Sequence, residues 1–355
     1  SSLYERIKFI MAYTTINKST LHFNTKLYVA DQQDNRTITG VGFQPDWVWL
    51  RNRDQAVNHQ LYDAVRGALK SWATNSTAAE ATETDTLKAF ASDGFTLGTG
   101  WGNQSTGDDY VSWNWKANGI GSSNTDGTIN STYTSANTTS GFSIVTYTGT
   151  GSSATVGHGL GTTPSMVWIF NRTDGGNAHV FHKALGSTQY LLHASTLAAQ
   201  TYAPVGIGSL TSTTFSVGTV SGVNGSSKNY VAYVFAEKQG FSKINSYTGN
   251  GSTDGTFVYT GFRPALIMAK NKDAADHWVI FDTKRGSYNQ VINPLFPNLN
   301  NTAGSSTSYA VDIVSNGFKL RGTDGATNSS GNVYIYMAFA EAPLVGSNNV
   351  PCTAR

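Results

Sequence analysis

Charge is what this chain has least of. Acidic and basic side chains make up 13% of its 355 residues, about half the roughly 25% of an ordinary soluble protein. The 24 Lys and Arg and 22 Asp and Glu leave a formal charge of +2. No basic run or stripe forms, so nucleic acid is not an expected partner. Cysteine is nearly absent: Cys352 stands alone, which excludes a disulfide within the chain. No apolar stretch nears the roughly 18 residues of a membrane span, so membrane insertion is not expected. The opening Ser1 to Ile10 lacks the apolar core and cleavage site of a secretory signal. Met11-Ala12-Tyr13 reads as a natural start, with the ten residues before it as an extension.

What is present is 39% hydrophobic and 12% aromatic sequence set among Ser, Thr, Asn and Gly. That mixture fills cores and leaves a neutral surface rich in hydroxyls and amides. Short runs of Val, Ile, Tyr, Trp and Thr bounded by Gly, Asn, Asp and Ser predict strands. Helix is scarce, and 78–90 is its one plausible segment.

A single ungapped pattern, Tyr-x13-Gly-x2-Pro-x6-Asn-x9-aromatic-x4-Gly, occurs three times. The first copy places Tyr28, Gly42, Pro45, Asn52, Tyr62 and Gly67. The second places Tyr147, Gly161, Pro164, Asn171, Phe181 and Gly186, and the third Tyr247, Gly261, Pro264, Asn271, Phe281 and Gly286. Repetition of one ungapped pattern means one structural unit used three times. The apolar runs after each proline, 46–50, 165–169 and 265–269, predict strands covered on both faces, with the proline tolerated at the strand's beginning. The fold class is all-β: three tandem β-sandwich, jelly-roll-like repeats. The expected boundaries are an attachment arm at 1–26, repeats at 27–117, 142–239 and 240–343, a linker or added strand at 118–141, and a tail at 344–355.

Residues shared by all three copies are scaffold, so a site belongs where the copies differ. His158, His179, His182 and His193 cluster in repeat two, but the odd interval from 179 to 182 sends two strand side chains to opposite faces. Without cysteines or many carboxylates nearby, they read as core or surface residues rather than a metal or catalytic site. A glycan-cleaving enzyme needs two acids a few ångströms apart. The carboxylates instead sit in an acidic stretch at Glu80, Glu83 and Asp85 or in Asp-Gly turns, so no catalytic residue, metal ligand or cofactor site is assigned. Asp108 and Asp109 beside a Gly-rich loop are a weak cation signal. Six of the eight tryptophans lie in repeat one. Trp47, Trp49, Trp113 and Trp115 match aromatic or apolar positions of the other copies and are expected in cores. Trp72 and Trp101 have no such counterpart. With Asn103, Gln104, Asp108 and Asp109 they form the candidate glycan contact, since a flat ring beside amides is suited to a sugar. Packing against a neighbouring unit is the competing reading.

Gly42-Phe43-Gln44-Pro45-Asp46-Trp47-Val48-Trp49, followed by Asn52-Arg53, Leu61-Tyr62-Asp63-Ala64-Val65-Arg66-Gly67 and Ser92-Asp93-Gly94-Phe95, resembles a domain found repeatedly in virion proteins of tailed, especially marine, bacteriophages. The opening Met11 to Ile16 and the ending Phe339-Ala340-Glu341-Ala342-Pro343 share the resemblance. It implies a non-enzymatic virion structural protein, a tail fibre or capsid decoration on the particle surface, assembled in the host cytoplasm. The implied partners are further copies of the chain, a homotrimer by preference, and other virion proteins. A glycan-binding receptor module is the alternative, and a polysaccharide depolymerase a distant third. The resemblance carries no functional residues.

Overall fold

In the computed structural model, which describes residues 14–201, 209–286 and 288–343, the first tyrosine of each copy finds the same partner. Tyr28 lies opposite Tyr110, Tyr147 opposite Tyr230 and Tyr247 opposite Tyr334. The chain is nearly all β, with antiparallel pairing throughout its sheets. In repeat one, strands Phe23–Val29, Asp109–Trp115, Trp47–Asn52, Gln60–Asp63, Lys70–Ala73 and Ala81–Thr82 form, in that spatial order, a six-stranded sheet. Arg36–Thr39, Gly94–Leu97 and Leu87–Ala91 form a three-stranded sheet, and Tyr28, Leu50, Tyr62, Phe95 and Leu97 share the core between the two. Repeats two and three keep the central order: Phe142–Thr148, Asn229–Phe235, Met166–Asn171, His179–His182, and Ser242–Thr248, Val333–Pro343, Phe262–Asn271, Trp278–Asp282. The layers are unequal, unlike the paired four-stranded sheets of a jelly roll.

Trp47–Asn52 and Met166–Asn171 are buried at every position. One set of alternating side chains fills the core of its own repeat. The other set does not face solvent but meets the other two repeats in one shared core. Trp47 packs on Trp168, Tyr233 and Phe235 of repeat two, with centroids 5.9, 4.9 and 5.7 Å apart. Trp115 meets Phe339 of repeat three at 5.5 Å. The four tryptophans expected in cores therefore belong to a core that no single repeat contains.

Equivalent backbone bonds close the three repeats into a ring. The amide of Glu80 donates to the Arg172 carbonyl (3.2 Å), Ala199 to Lys272 (2.8 Å) and Ala303 to Arg53 (2.7 Å). Arg53, Arg172 and Lys272 occupy one repeat position, each following the patterned Asn. Each repeat thus grips the next, and the third grips the first, the head-to-tail geometry of a closed cyclic assembly held within one chain.

Several expectations need correction. Segment 78–90 is not helical: it holds strand Ala81–Thr82 and the start of Leu87–Ala91, since Thr82, Thr84 and Thr86 favour extended backbone. The only α-helices among the described residues are the single turns Ser221–Asn224 and Gly325–Asn328. Residues 14–26 are part of the fold rather than an arm. Ile16 is buried in the central core, and Phe23 begins the first strand, stacking on Phe339 at 5.2 Å. In 118–141, Tyr133–Asn137 is an added strand on the outer edge of Phe142–Thr148. Pro264 sits inside Phe262–Asn271 at a register shift rather than before the strand, where the bulge needs no donor from it. The segment before Met11 and the tail 344–355 with Cys352 lie outside the described residues.

Candidate functional site

The patterned asparagines show what the repeat is for. The Oδ1 of Asn52 accepts from the amides of Asp54 and Gln55 (2.8 and 2.9 Å), while its Nδ2 donates to the Tyr110 hydroxyl (2.9 Å). Asn171 does the same with Thr173, Asp174 and Tyr230, and Asn271 with Asp273, Ala274 and Tyr334. Only an amide both accepts and donates in this way. A second shared asparagine escapes the ungapped pattern. Asn103, Asn224 and Asn328 are fully buried; their Nδ2 groups donate to the Gly98, Gly218 and Gly322 carbonyls and across to Gln33, Ser152 and Ser252. Asn103 stands seven residues before Tyr110, but Asn224 and Asn328 stand six before Tyr230 and Tyr334 by subtraction. That one-residue slip hides them.

The copies differ most instructively at Asp63, His182 and Asp282, each the last residue of its strand, one past the patterned aromatic. All three are buried, and all three reach into the next repeat. Asp63 accepts from the Tyr233 hydroxyl of repeat two (2.7 Å), and Asp282 from the Trp113 indole of repeat one (3.1 Å). The repeat-three counterpart of Trp113 and Tyr233 is Met337, which offers no donor. There His182 turns its Nε2 to the neighbouring Tyr336 carbonyl at 3.3 Å. The acids are neutralised locally by Arg66 and Arg285, three residues on. Burial alone draws the Arg66 guanidinium down, but Asp63, Tyr233 and Glu80 outweigh it and raise it overall. Burial likewise pushes the Glu80 carboxyl up, yet Arg172 and Arg66, on either side at 2.8 and 3.0 Å, hold it below the usual range. These groups join repeats; of them His182 also lines a surface pocket of about 250 Å³, beside Thr163, Phe181 and Leu210.

Five of the seven histidines, His59 and the four of repeat two, are buried and kept neutral. Burial brings His179, His182 and His193 down to about 4 and lowers His59 and His158 as well. His193 bonds the Thr74 carbonyl of repeat one (3.1 Å) and packs on Trp168 at 4.5 Å. His179 lies against Gly222, and His182 points to repeat three, so the two diverge as their spacing requires. Among the described residues no group of three or more His, Cys, Asp or Glu is placed to hold a metal ion. No helix there is long and apolar enough to cross a membrane.

The expected glycan contacts do not form one surface. Trp72 is 2% exposed; it stacks on Phe170 of repeat two at 4.4 Å, and its indole donates to the Tyr233 hydroxyl (3.3 Å). It has counterparts after all. Trp72 pairs with Leu61 as Leu191 pairs with Val180 and Leu295 with Ile280; Leu191 keeps the spacing of Trp72 without being aromatic, and an insertion displaces Leu295. Asn103 is the buried lock described above. Asp108 accepts from Asn52 (2.8 Å), and Asp109 pairs with Arg53 (3.2 Å). Trp101 is half-buried on a turn, and the exposed Gln104 accepts from the Tyr110 hydroxyl through its carbonyl (3.2 Å). Burial and these partners leave Trp72 and Asn103 nothing to offer a ligand.

One family profile, described as a domain of unknown function (DUF7483), matches residues 18–343 without a break. The chain belongs to this family. The DUF7483 match takes in all three repeats and the segment from Lys18, as expected of a ring whose core is common property. No curated protein matches the chain.

Proposed function

We propose that this DUF7483 protein is a non-enzymatic structural component of a tailed-phage virion, exposed on the capsid or tail. The observation that carries the reading is the closed ring. Its titratable interior groups, Asp63, His182, Asp282 and Glu80, join one repeat to the next, which makes a stiff body of stacked β-layers without a disulfide. Stiffness and a low-charge, hydroxyl-rich exterior suit a part that must survive outside a cell. The phrase-level resemblance to phage virion domains points the same way.

The ring also bears on assembly. Three chains of a homotrimer would supply head-to-tail closure around an axis, and here one chain supplies it. The unit that repeats on the particle is accordingly a single chain, docked against other virion proteins. Mass spectrometry and labelled cryo-microscopy of purified particles test the function. Recovery in fixed stoichiometry with density on the exterior is expected, and absence from purified particles would remove the reading. Light scattering of the free protein tests assembly: the mass of one chain is expected, and a mass of three restores the trimer.

A further inference from the structure

The repeats differ most where repeat three meets repeat one. Glu80 and Ala199, which make the ring-closing bonds, lie 35 residues after Pro45 and Pro164; Ala303 lies 39 after Pro264 by subtraction. Repeat three thus carries four extra residues, and irregular chain replaces the strands Lys70–Ala73 and Gln189–Leu192 of the other copies. At the joint between repeats one and two the corresponding loops are shut: a methyl group on Gly175 would lie 2.4 Å from the Thr77 carbonyl. At the joint between repeats three and one the loops leave an open cleft of about 410 Å³, within the usual size range for small-molecule sites, roughly 300–1,000 Å³.

Phe296 and Tyr309 form the cleft's aromatic wall, with rings 5.3 Å apart and inclined at 73°. Asn301, Thr302 and Ser305 line it with an amide and two hydroxyls, and none of these three side chains bonds another described residue. No charged side chain lines it, and Ala56 of repeat one completes the rim. Beneath it the buried Arg51 guanidinium donates to the carbonyls of Asn300 (3.0 Å) and Asn301, so the loop that lines the cleft is held from below. The counterparts of Arg51 are Phe170 and Lys270, which makes this support specific to the one joint.

We propose that this cleft binds an uncharged saccharide, a mono- or disaccharide or the end of a neutral glycan. An aromatic face covers the apolar C–H side of a sugar ring, while free amide and hydroxyl groups exchange hydrogen bonds with its rim. An uncharged lining offers nothing to a carboxylate or sulfate. Tyr309 contributes its ring, its hydroxyl being engaged with Asp324.

The test uses the full chain in saturation-transfer NMR and calorimetry. The probes are glucose, galactose, N-acetylglucosamine and their β-linked disaccharides, with galacturonic acid as the charged control. At least one neutral sugar binds at millimolar concentration, and galacturonic acid does not. Tyr309→Leu, which keeps apolar bulk without a ring, and the exposed Asn301→Ala and Thr302→Ala weaken that binding by about tenfold each, whereas Trp101→Ala leaves it unchanged. The surface changes at 301 and 302 keep the test open if Tyr309→Leu misfolds. Failure of every neutral probe, equal binding of galacturonic acid, or indifference to the cleft variants overturns the proposal. None of these outcomes depends on whether the protein is found on a virion.

Discussion

Buried ionisable residues set this protein's response to pH. His179, His182 and His193 are neutral in the fold, at about 4, but titrate near 6.5 when unfolded. Below 6.5 the unfolded chain takes up protons that the folded chain refuses, so stability is complete above that pH and falls towards 4. Each histidine contributes at most about 1.4 kcal/mol per pH unit across that window. Urea midpoints at successive pH values should decline over it, and His193→Gln should make the decline shallower. Lys270 behaves differently. Burial lowers its ammonium to about 8 although it donates to the Asn271 and Thr196 carbonyls (2.6 and 3.2 Å). Between 8 and the ordinary lysine value the unfolded chain again binds more protons, so stability rises with pH there. Midpoints from pH 7.5 to 9.5, below the tyrosine range, should show the rise, and Lys270→Met should abolish it. Asp282→Ala strands the buried Arg285 and takes a partner from the Trp113 indole. A loss of about 3–5 kcal/mol, the usual consequence of halving a buried pair, is expected in the denaturation free energy.

At the scale of elements, the first strand and the residues before it bear weight that composition does not reveal. Ile16 and Phe23 leave the central core if residues 1–22 are removed and the strand frays. Ile16 alone accounts for about 1.5–3 kcal/mol of burial, so this truncation should lower the melting temperature clearly. An unchanged melting curve would return 14–22 to the role of a free arm. The strands themselves are largely readable from sequence. Alternation and the proline–apolar run identify Trp47–Asn52 and its two counterparts, and complete burial of that run follows from the absence of any polar face. The buried asparagine series 103, 224 and 328 is not readable in this way, because the loop before it differs by one residue between copies. Spacing alone equates Trp72 with Leu191, which stand 27 residues after Pro45 and Pro164 by subtraction, but not with Leu295, since four inserted residues break the period there while leaving the strand partner unchanged.

For the whole molecule, the shared core means that no repeat buries its large sheet alone. A separate repeat two, 142–239, would expose Met166, Trp168, Tyr233 and Phe235 to water, a larger apolar patch than monomeric domains carry. The intact chain should unfold in a single cooperative transition by calorimetry, and 142–239 alone should aggregate or remain molten. Three separable transitions would mean that the repeats are independent beads. The tryptophan count of repeat one belongs to this scale as well. Trp47, Trp49, Trp113 and Trp115 fill the axis of the ring, where the other copies contribute Trp168, Tyr233, Phe235 and Met337.

From its residues alone the chain determines that it is β-structured, threefold repeated, free of internal disulfides and covered on both faces of its central strands, because strand period, turn chemistry and repeat spacing are local properties. Only the tertiary structure decides what covers the second face. A strand that is apolar on both sides reads the same whether it meets a helix, another chain or a sibling repeat, and closure depends on the angle at which one repeat packs on the next. That angle turns three sandwich-like units into a ring, carries Asp63, His182 and Asp282 inward as joints, and leaves the one joint with four extra residues open to a ligand.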